Sequence, residues 1–206
     1  MCMNKELPLY GKIRFFHAAS NRDKVDIFIN RYRILQNLPF KEGSRNLFLR
    51  AGVYQVEVYE TSKPSSPFMR KIIFINPGKI YTIALCEGTE EVDLLLFEHS
   101  TKVPIGETKF RLIHLANNRQ AIDLKATYGD VVFSNIHFSQ STNYLGLTPM
   151  MVDLEIRKSG TKRILLPLPR LLFKPNRIYS IFLLDSQLDD TKFEVQVLED
   201  YRVRFP

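Results

Sequence analysis

His17 and Asp26 stand nine residues apart, and His114 and Asp123 repeat both the residue types and the spacing further along the chain. A histidine and an aspartate that meet can act as general base and orienter, or supply two ligands to a metal. Their sequence surroundings point elsewhere. In KIRFFHAASNRDKVDIFIN (12–30), Ile13, Phe15 and His17 share one phase of a period of two; in KFRLIHLANNRQAIDLKAT (109–127), Phe110, Leu112 and His114 do the same. Each histidine therefore ends an apolar, inward row of a strand. Asp26 lies between Val25 and Ile27, and Asp123 between Ile122 and Leu124, so each aspartate faces away from the core that its neighbours fill. A buried histidine bonding a loop, and an aspartate fixing a turn or a neighbouring strand, are the commoner roles for such residues. All four are read as a repeated structural motif, and the chain as non-enzymatic, with no catalytic residue, cofactor or metal assigned. HExxH, GxSxG and a phosphate-cradling glycine loop are missing from the sequence, and four His and two Cys are too scattered for a zinc site.

The elements that would position these residues come in two copies. His17 matches His114 and Asp26 matches Asp123; Asn37-Leu38-Pro39-Phe40 then matches Asn135-Ile136-His137-Phe138, and Pro77-Gly78-Lys79-Ile80-Tyr81 matches Pro175-Asn176-Arg177-Ile178-Tyr179. The copies end alike, in Leu96-Phe97-Glu98 and Val197-Leu198-Glu199. So long a period is domain duplication, since solenoid units run to roughly 20–50 residues. Within each copy apolar and polar residues alternate, as in Tyr54, Val56 and Val58 or Val152, Leu154 and Ile156, which is the pattern of half-buried strands. Gly-, Pro- and Asn-bearing turns separate the runs, and Leu183–Asp190 fits either a helical turn or a loop. The expectation is an all-β protein of two tandem antiparallel β-sandwich domains, Ig-like or transthyretin-like. An N-terminal arm covers 1–10, the first copy 11–99, a linker 100–108 and the second copy 109–206.

Composition sets bounds on function. With 45% hydrophobic and 25% charged residues the chain resembles folded globular proteins, and no apolar run is long enough to span a membrane. The opening MCMNKELPLYG lacks the apolar centre of a signal peptide, which predicts cytoplasmic synthesis without a leader. Cys86 follows the strand-like YTIAL and reads as a small buried hydrophobe, whereas Cys2 on the arm is the candidate intermolecular crosslink. The net charge of +7 is spread over both halves. Between Glu155 and Asp185 no acidic residue occurs, and Lys162, Arg163 and Arg170 in this interval are the candidate contacts for an anionic polymer. No nucleic-acid recognition module accompanies them, so nucleic acid is not an expected partner. Fifteen Phe and nine Tyr without Trp are read mainly as core.

Taken together, His17-Ala18, Val25-Asp26-Ile27, Leu38-Pro39-Phe40 and Ala51-Gly52-Val53-Tyr54 resemble the pattern of the DUF4397 domain, a bacterial and archaeal β domain of unknown function. In the second copy His114, Ile122-Asp123-Leu124, Phe133–Phe138 and Asn143-Tyr144-Leu145 carry it, with Asn117-Asn118 in place of the family's Ser-Pro. The resemblance implies a sandwich-like fold often found in cell-surface proteins, and no activity. The reading that follows is a structural or interaction protein that self-associates or binds a protein partner through strand edges and the arm, deposited at a cell surface or spore layer. The alternative is a glycan- or polymer-binding module using a cleft between the copies and the basic run.

Overall fold

The computed structural model describes residues 9–88, 91–117, 120–189 and 192–202. The chain divides into two compact units, Met1–His99 and Ser100–Pro206. In the first, β1 (Tyr10–His17), β2 (Lys24–Ile29), β3 (Tyr32–Pro39), β4 (Leu47–Arg50), β5 (Gly52–Glu60), β6 (Met69–Ile75), β7 (Ile80–Glu87) and β8 (Val92–Glu98) form two sheets, ordered β4-β1-β7-β8 and β3-β2-β5-β6. In the second, β9 (Thr108–His114), β10 (Ile122–Ala126), β11 (Val131–Ile136), β12 (Leu145–Leu147), β13 (Met150–Lys158), β14 (Ile164–Phe173), β15 (Arg177–Asp185) and β16 (Phe193–Arg202) repeat the plan as β12-β9-β15-β16 and β11-β10-β13-β14. No helix occurs among the described residues, and Leu183–Asp185 belong to the end of a strand.

Each unit is a sandwich whose core lies between its own two sheets. Ile13, Phe15, Ile83 and Leu85 of one sheet meet Val25, Ile27, Val56, Val58 and Ile73 of the other. Phe110, Leu112, Ile181 and Leu183 meet Ile122, Leu124, Leu154 and Ile156 in the second unit, where Phe173 stacks on Phe110 at 4.8 Å between ring centroids. The period-two alternation read from the sequence fills these cores, while the central strands β7 and β15 are buried on both faces.

One feature amends the antiparallel expectation. β1 pairs with β7 in parallel, from Lys12 opposite Ile80 to His17 opposite Leu85, and β9 pairs with β15 in the same way. Five strands separate the partners in sequence, so no hairpin forces them to run in opposite directions. The remaining ladders among the described residues are antiparallel, and four of them carry register shifts: β10 with β11, β13 with β14, β15 with β16, and β2 with β3.

Candidate functional site

The repeated histidines end β1 and β9 fully buried. His17 Nδ1 accepts a hydrogen bond from the Ala19 N–H at 3.3 Å, and its Nε2 is buried without a partner. His114 uses the other nitrogen, Nε2, which lies 3.2 Å from the Gln120 carbonyl, while Nδ1 is the unmatched atom. Each ring thus holds the loop that follows its own strand. Burial lowers both pKa values; the nearby Arg22 charge adds to the effect at His17, which falls to about 4 against the opposing pull of Asp23. Neither histidine hydrogen-bonds the aspartate of its pair, so the geometry of a base and its orienter is not formed.

The aspartates sit on the outward phase, as their neighbours predict, yet they are buried, at 4% exposure for Asp26 and 8% for Asp123. The register explains why. β3 bulges between its pairings with Val25 and Ile27, and β11 bulges between its pairings with Ile122 and Leu124. At each bulge an asparagine takes a left-handed backbone, with φ of 55° at Asn37 and 53° at Asn135. The extra residue turns its N–H out of the ladder, and the facing aspartate accepts it: Asn37 N–H to Asp26 at 2.9 Å, Asn135 N–H to Asp123 at 2.7 Å. Asp26 also accepts from the Thr61 hydroxyl at 2.7 Å and lies 3.7 Å from the Arg33 guanidinium. Asp123 accepts instead from the Ser159 hydroxyl at 2.8 Å and the Gly160 N–H at 3.1 Å. Burial pushes the Asp123 carboxyl up, but these three donors outweigh it and hold it below the usual carboxylate range.

A third clasp of the same kind is confined to the second unit. Asp153 accepts the Arg170 N–H at 2.7 Å, where Arg170 has φ of 55° at a bulge of β14. This answers where the basic run lies. Lys162 and Arg163 are exposed in the turn before β14, whereas Arg170 sits at the far bulge, roughly 23 Å of extended strand away. The structure does not bring the three together. Cys2 lies outside the described residues. Cys86 is buried, and its thiol is pushed up to about 12 by burial and by the charges of Asp93 and Glu87.

The sequence reading missed a buried polar chain on the outer face of each β1- or β9-containing sheet. Arg14 Nε donates to Thr82 Oγ1 at 2.7 Å, which lies 2.8 Å from His99 Nε2. In the second unit Arg111 Nε donates to Ser180 Oγ at 2.9 Å, and the Ser180 and Tyr144 hydroxyls both reach Asp200 Oδ2, at 2.5 and 2.8 Å. Extending the alignment of the copies to Arg14 with Arg111, Thr82 with Ser180 and His99 with Asp200 is the signal that would have found it.

The strongest contrast between the units is at the outer edge of the sheets that hold the aspartates. β6 (MRKIIFI) is an edge strand that pairs with β5 without a register shift from Gly52 opposite Ile75 to Val58 opposite Met69. Ile72 and Phe74 point to solvent at 61% and 64% exposure, beside Val53 at 58%. The matching strand β14 (ILLPLPRLLF) carries Pro167, Pro169 and two register shifts. Among the described residues no group of three or more His, Cys, Asp or Glu could hold a metal ion, and no helix is long and apolar enough to cross a membrane.

A family model described as "Domain of unknown function (DUF4397)" matches residues 11–125. The chain belongs to the DUF4397 family. The match spans the strands of the first unit, where the Asp26 clasp and the β6 edge both lie, and runs on through β9 into β10 of the second. No curated protein matches the sequence. Among solved structures, the chain is similar to the Bacillus anthracis TIE protein at 8% identity and TM-score 0.27, over 85% of this chain and 34% of that one. It therefore spans about a third of that protein's length. A family 26 carbohydrate-binding module from Eubacterium rectale, solved with maltoheptaose, shares 8% identity at TM-score 0.30, over 92% and 96% of the two chains. A tip fimbrial protein from Porphyromonas gingivalis shares 10% at TM-score 0.28, over 93% and 99%.

Proposed function

We propose that this DUF4397 protein is a non-enzymatic assembly module whose copies join by adding strands edge to edge at β6. The carrying observation is the regular, proline-free β6 edge with Ile72, Phe74 and Val53 exposed on one face. An open edge offers a row of backbone donors and acceptors, and a second strand satisfies them while alternate side chains set the register. Two β6 strands paired antiparallel about Ile72 would place Arg70 of one copy against Phe74 of the other, so like charges do not oppose each other. Lys71, the other cation of the strand, is held by Asp93 at 2.6 Å within its own unit and adds no repulsion. The arm of residues 1–10 is the rival strand donor. Joining of this kind suits a component deposited in a cell-surface or spore layer.

Light scattering on full-length protein across a concentration series tests the reading. The wild type is expected to dimerise with concentration, Ile72→Lys with Phe74→Lys to raise the dissociation constant at least 100-fold, and Leu172→Lys on β14 to leave it unchanged. A monomer at every concentration, or a dimer indifferent to the β6 changes and lost on deleting residues 1–8, would overturn it.

A further inference from the structure

The second unit carries a groove of about 420 Å³ lined by Ser134, Asn135, Ile136, Gln140, Ser141, Thr142 and Asn143. Every lining side chain except Ile136 is an amide or a hydroxyl, and none is charged. We infer that this groove binds a neutral polyhydroxylated ligand, a segment of uncharged glycan.

The walls are fixed before any ligand arrives. Asn135 is the bulge residue clasped by Asp123, so its backbone is held in the left-handed conformation that aims its side chain. The opposite wall, residues 139–143, is tied to β9: Ser139 N–H donates to the His114 carbonyl at 2.8 Å, and Thr142 N–H to that of Leu112 at 2.9 Å. Thr142 Oγ1 in turn accepts the Leu112 N–H at 3.0 Å and donates to the Asn143 carbonyl at 3.0 Å. A rigid wall loses little freedom on binding.

The Thr142 hydroxyl is spent on the wall itself and the Ser141 hydroxyl donates to the Thr142 carbonyl at 3.2 Å, but the remaining polar groups keep bonding capacity. The side chains of Ser134, Asn135 and Asn143 make no hydrogen bond to described residues, and Gln140 commits only its Oε1, to the His137 N–H at 2.9 Å. Each free amide offers an acceptor beside two donors, a fork that matches the neighbouring hydroxyls of a sugar ring. An anionic ligand would meet no cation here, and an apolar one would strand the amides unpaired. Neutral hydrogen bonds that compete with water, with little apolar burial, place the affinity at roughly millimolar.

The first unit supplies an internal control. Its loop is tied to β1 by the same bonds, Ser44 N–H to the Phe15 carbonyl at 2.8 Å and Phe15 N–H to Ser44 Oγ at 2.9 Å. The aligned side chains there are Gln36, Asn37, Glu42, Gly43 and Arg45, which replaces two amides by charges and a hydroxyl by nothing.

The test is an amide NMR titration of the full chain with cellohexaose, xylohexaose and mannohexaose, and with hexagalacturonate as the charged comparison. At least one neutral hexasaccharide is expected to shift the backbone and side-chain amides of residues 134–143, with those of 36–45 unmoved. Ser134→Ala with Asn143→Ala, both exposed and outside the core, is expected to weaken that binding at least fivefold without lowering the melting temperature. Silence toward all three neutral sugars, equal shifts in both units, stronger binding of hexagalacturonate, or undiminished binding by the variant would each overturn the assignment.

Discussion

β6 and β14 occupy the same place in two units of identical strand order, yet one is an open edge and the other a guarded one. The difference starts at a single pair of positions. Where β13 has Asp153, β5 has Gln55; where β14 has Arg170 in a left-handed bulge, β6 has Ile72 in regular extended pairing. The aspartate stabilises the bulge, the bulge breaks the ladder, and Pro167 and Pro169 remove two more backbone donors from the strand. Edge protection is thus a local property set by a few residues, while the clasps at Asp26 and Asp123 belong to the plan common to both units.

Removing the common clasps should have the largest effect. Asp123→Ala leaves three donors without their acceptor and is expected to cost about 4 kcal/mol, with Asp26→Ala costing about 3 kcal/mol. Denaturant unfolding with a probe in each unit measures both. Losses under 1 kcal/mol would mean that water replaces the carboxylate and that the clasp does not fix the bulge.

Acid should separate the units next. His17 is neutral when folded down to about pH 4, whereas an unfolded histidine takes up its proton near 6.5. Between those values the unfolded chain binds more protons, so stability falls as pH drops through this window, by up to about 3 kcal/mol at its lower end. Below it the depressed Asp123 carboxyl begins to titrate and removes its own contribution in turn. Unit 1, in which Arg22 deepens the histidine shift, is expected to lose stability before unit 2, and His17→Gln to flatten its pH profile between 6.5 and 4. Coincident acid transitions in wild type, or a profile unchanged by the substitution, would remove this distinction.

The smallest expected effect is a conversion of one edge toward the other. Pro167→Thr with Pro169→Thr restores two N–H groups to β14 but leaves the Arg170 bulge, so weak association through the second unit should appear, at least tenfold weaker than that through β6. It is best measured in the Ile72→Lys, Phe74→Lys background, where a persistent monomer would show that the bulge alone guards the edge.

How much of this was legible in the sequence follows from the range of the interactions. Alternation gave the strands, the duplicated spacing gave two units, and the position of His17 at the end of an inward row gave its burial. The phase rule also placed Asp26 outward, but it carries no information about what lies on that side; the bulge that buries it depends on Asn37 in a neighbouring strand. Lys162, Arg163 and Arg170 form a cluster only along the chain, because an extended strand carries residues apart that a helix would gather. The parallel pairing of β1 with β7 was illegible for a related reason: no turn signal joins strands that are distant in sequence.

That parallel pairing has a consequence for how the protein is made. Arg14 meets Thr82 across a separation of 68 residues, and Arg111 meets Ser180 across 69, so each central strand waits for nearly its whole unit before it acquires its parallel neighbour. Closing such long loops is slow. On an emerging chain, β1 stays open on one side until β7 has been synthesised. Because β9 has the same apolar phase and the same terminal histidine, it competes for the place beside β7 once it appears. Closure of the first unit before β9 leaves the ribosome avoids that competition, and mispairing between units is the failure expected of a chain so duplicated.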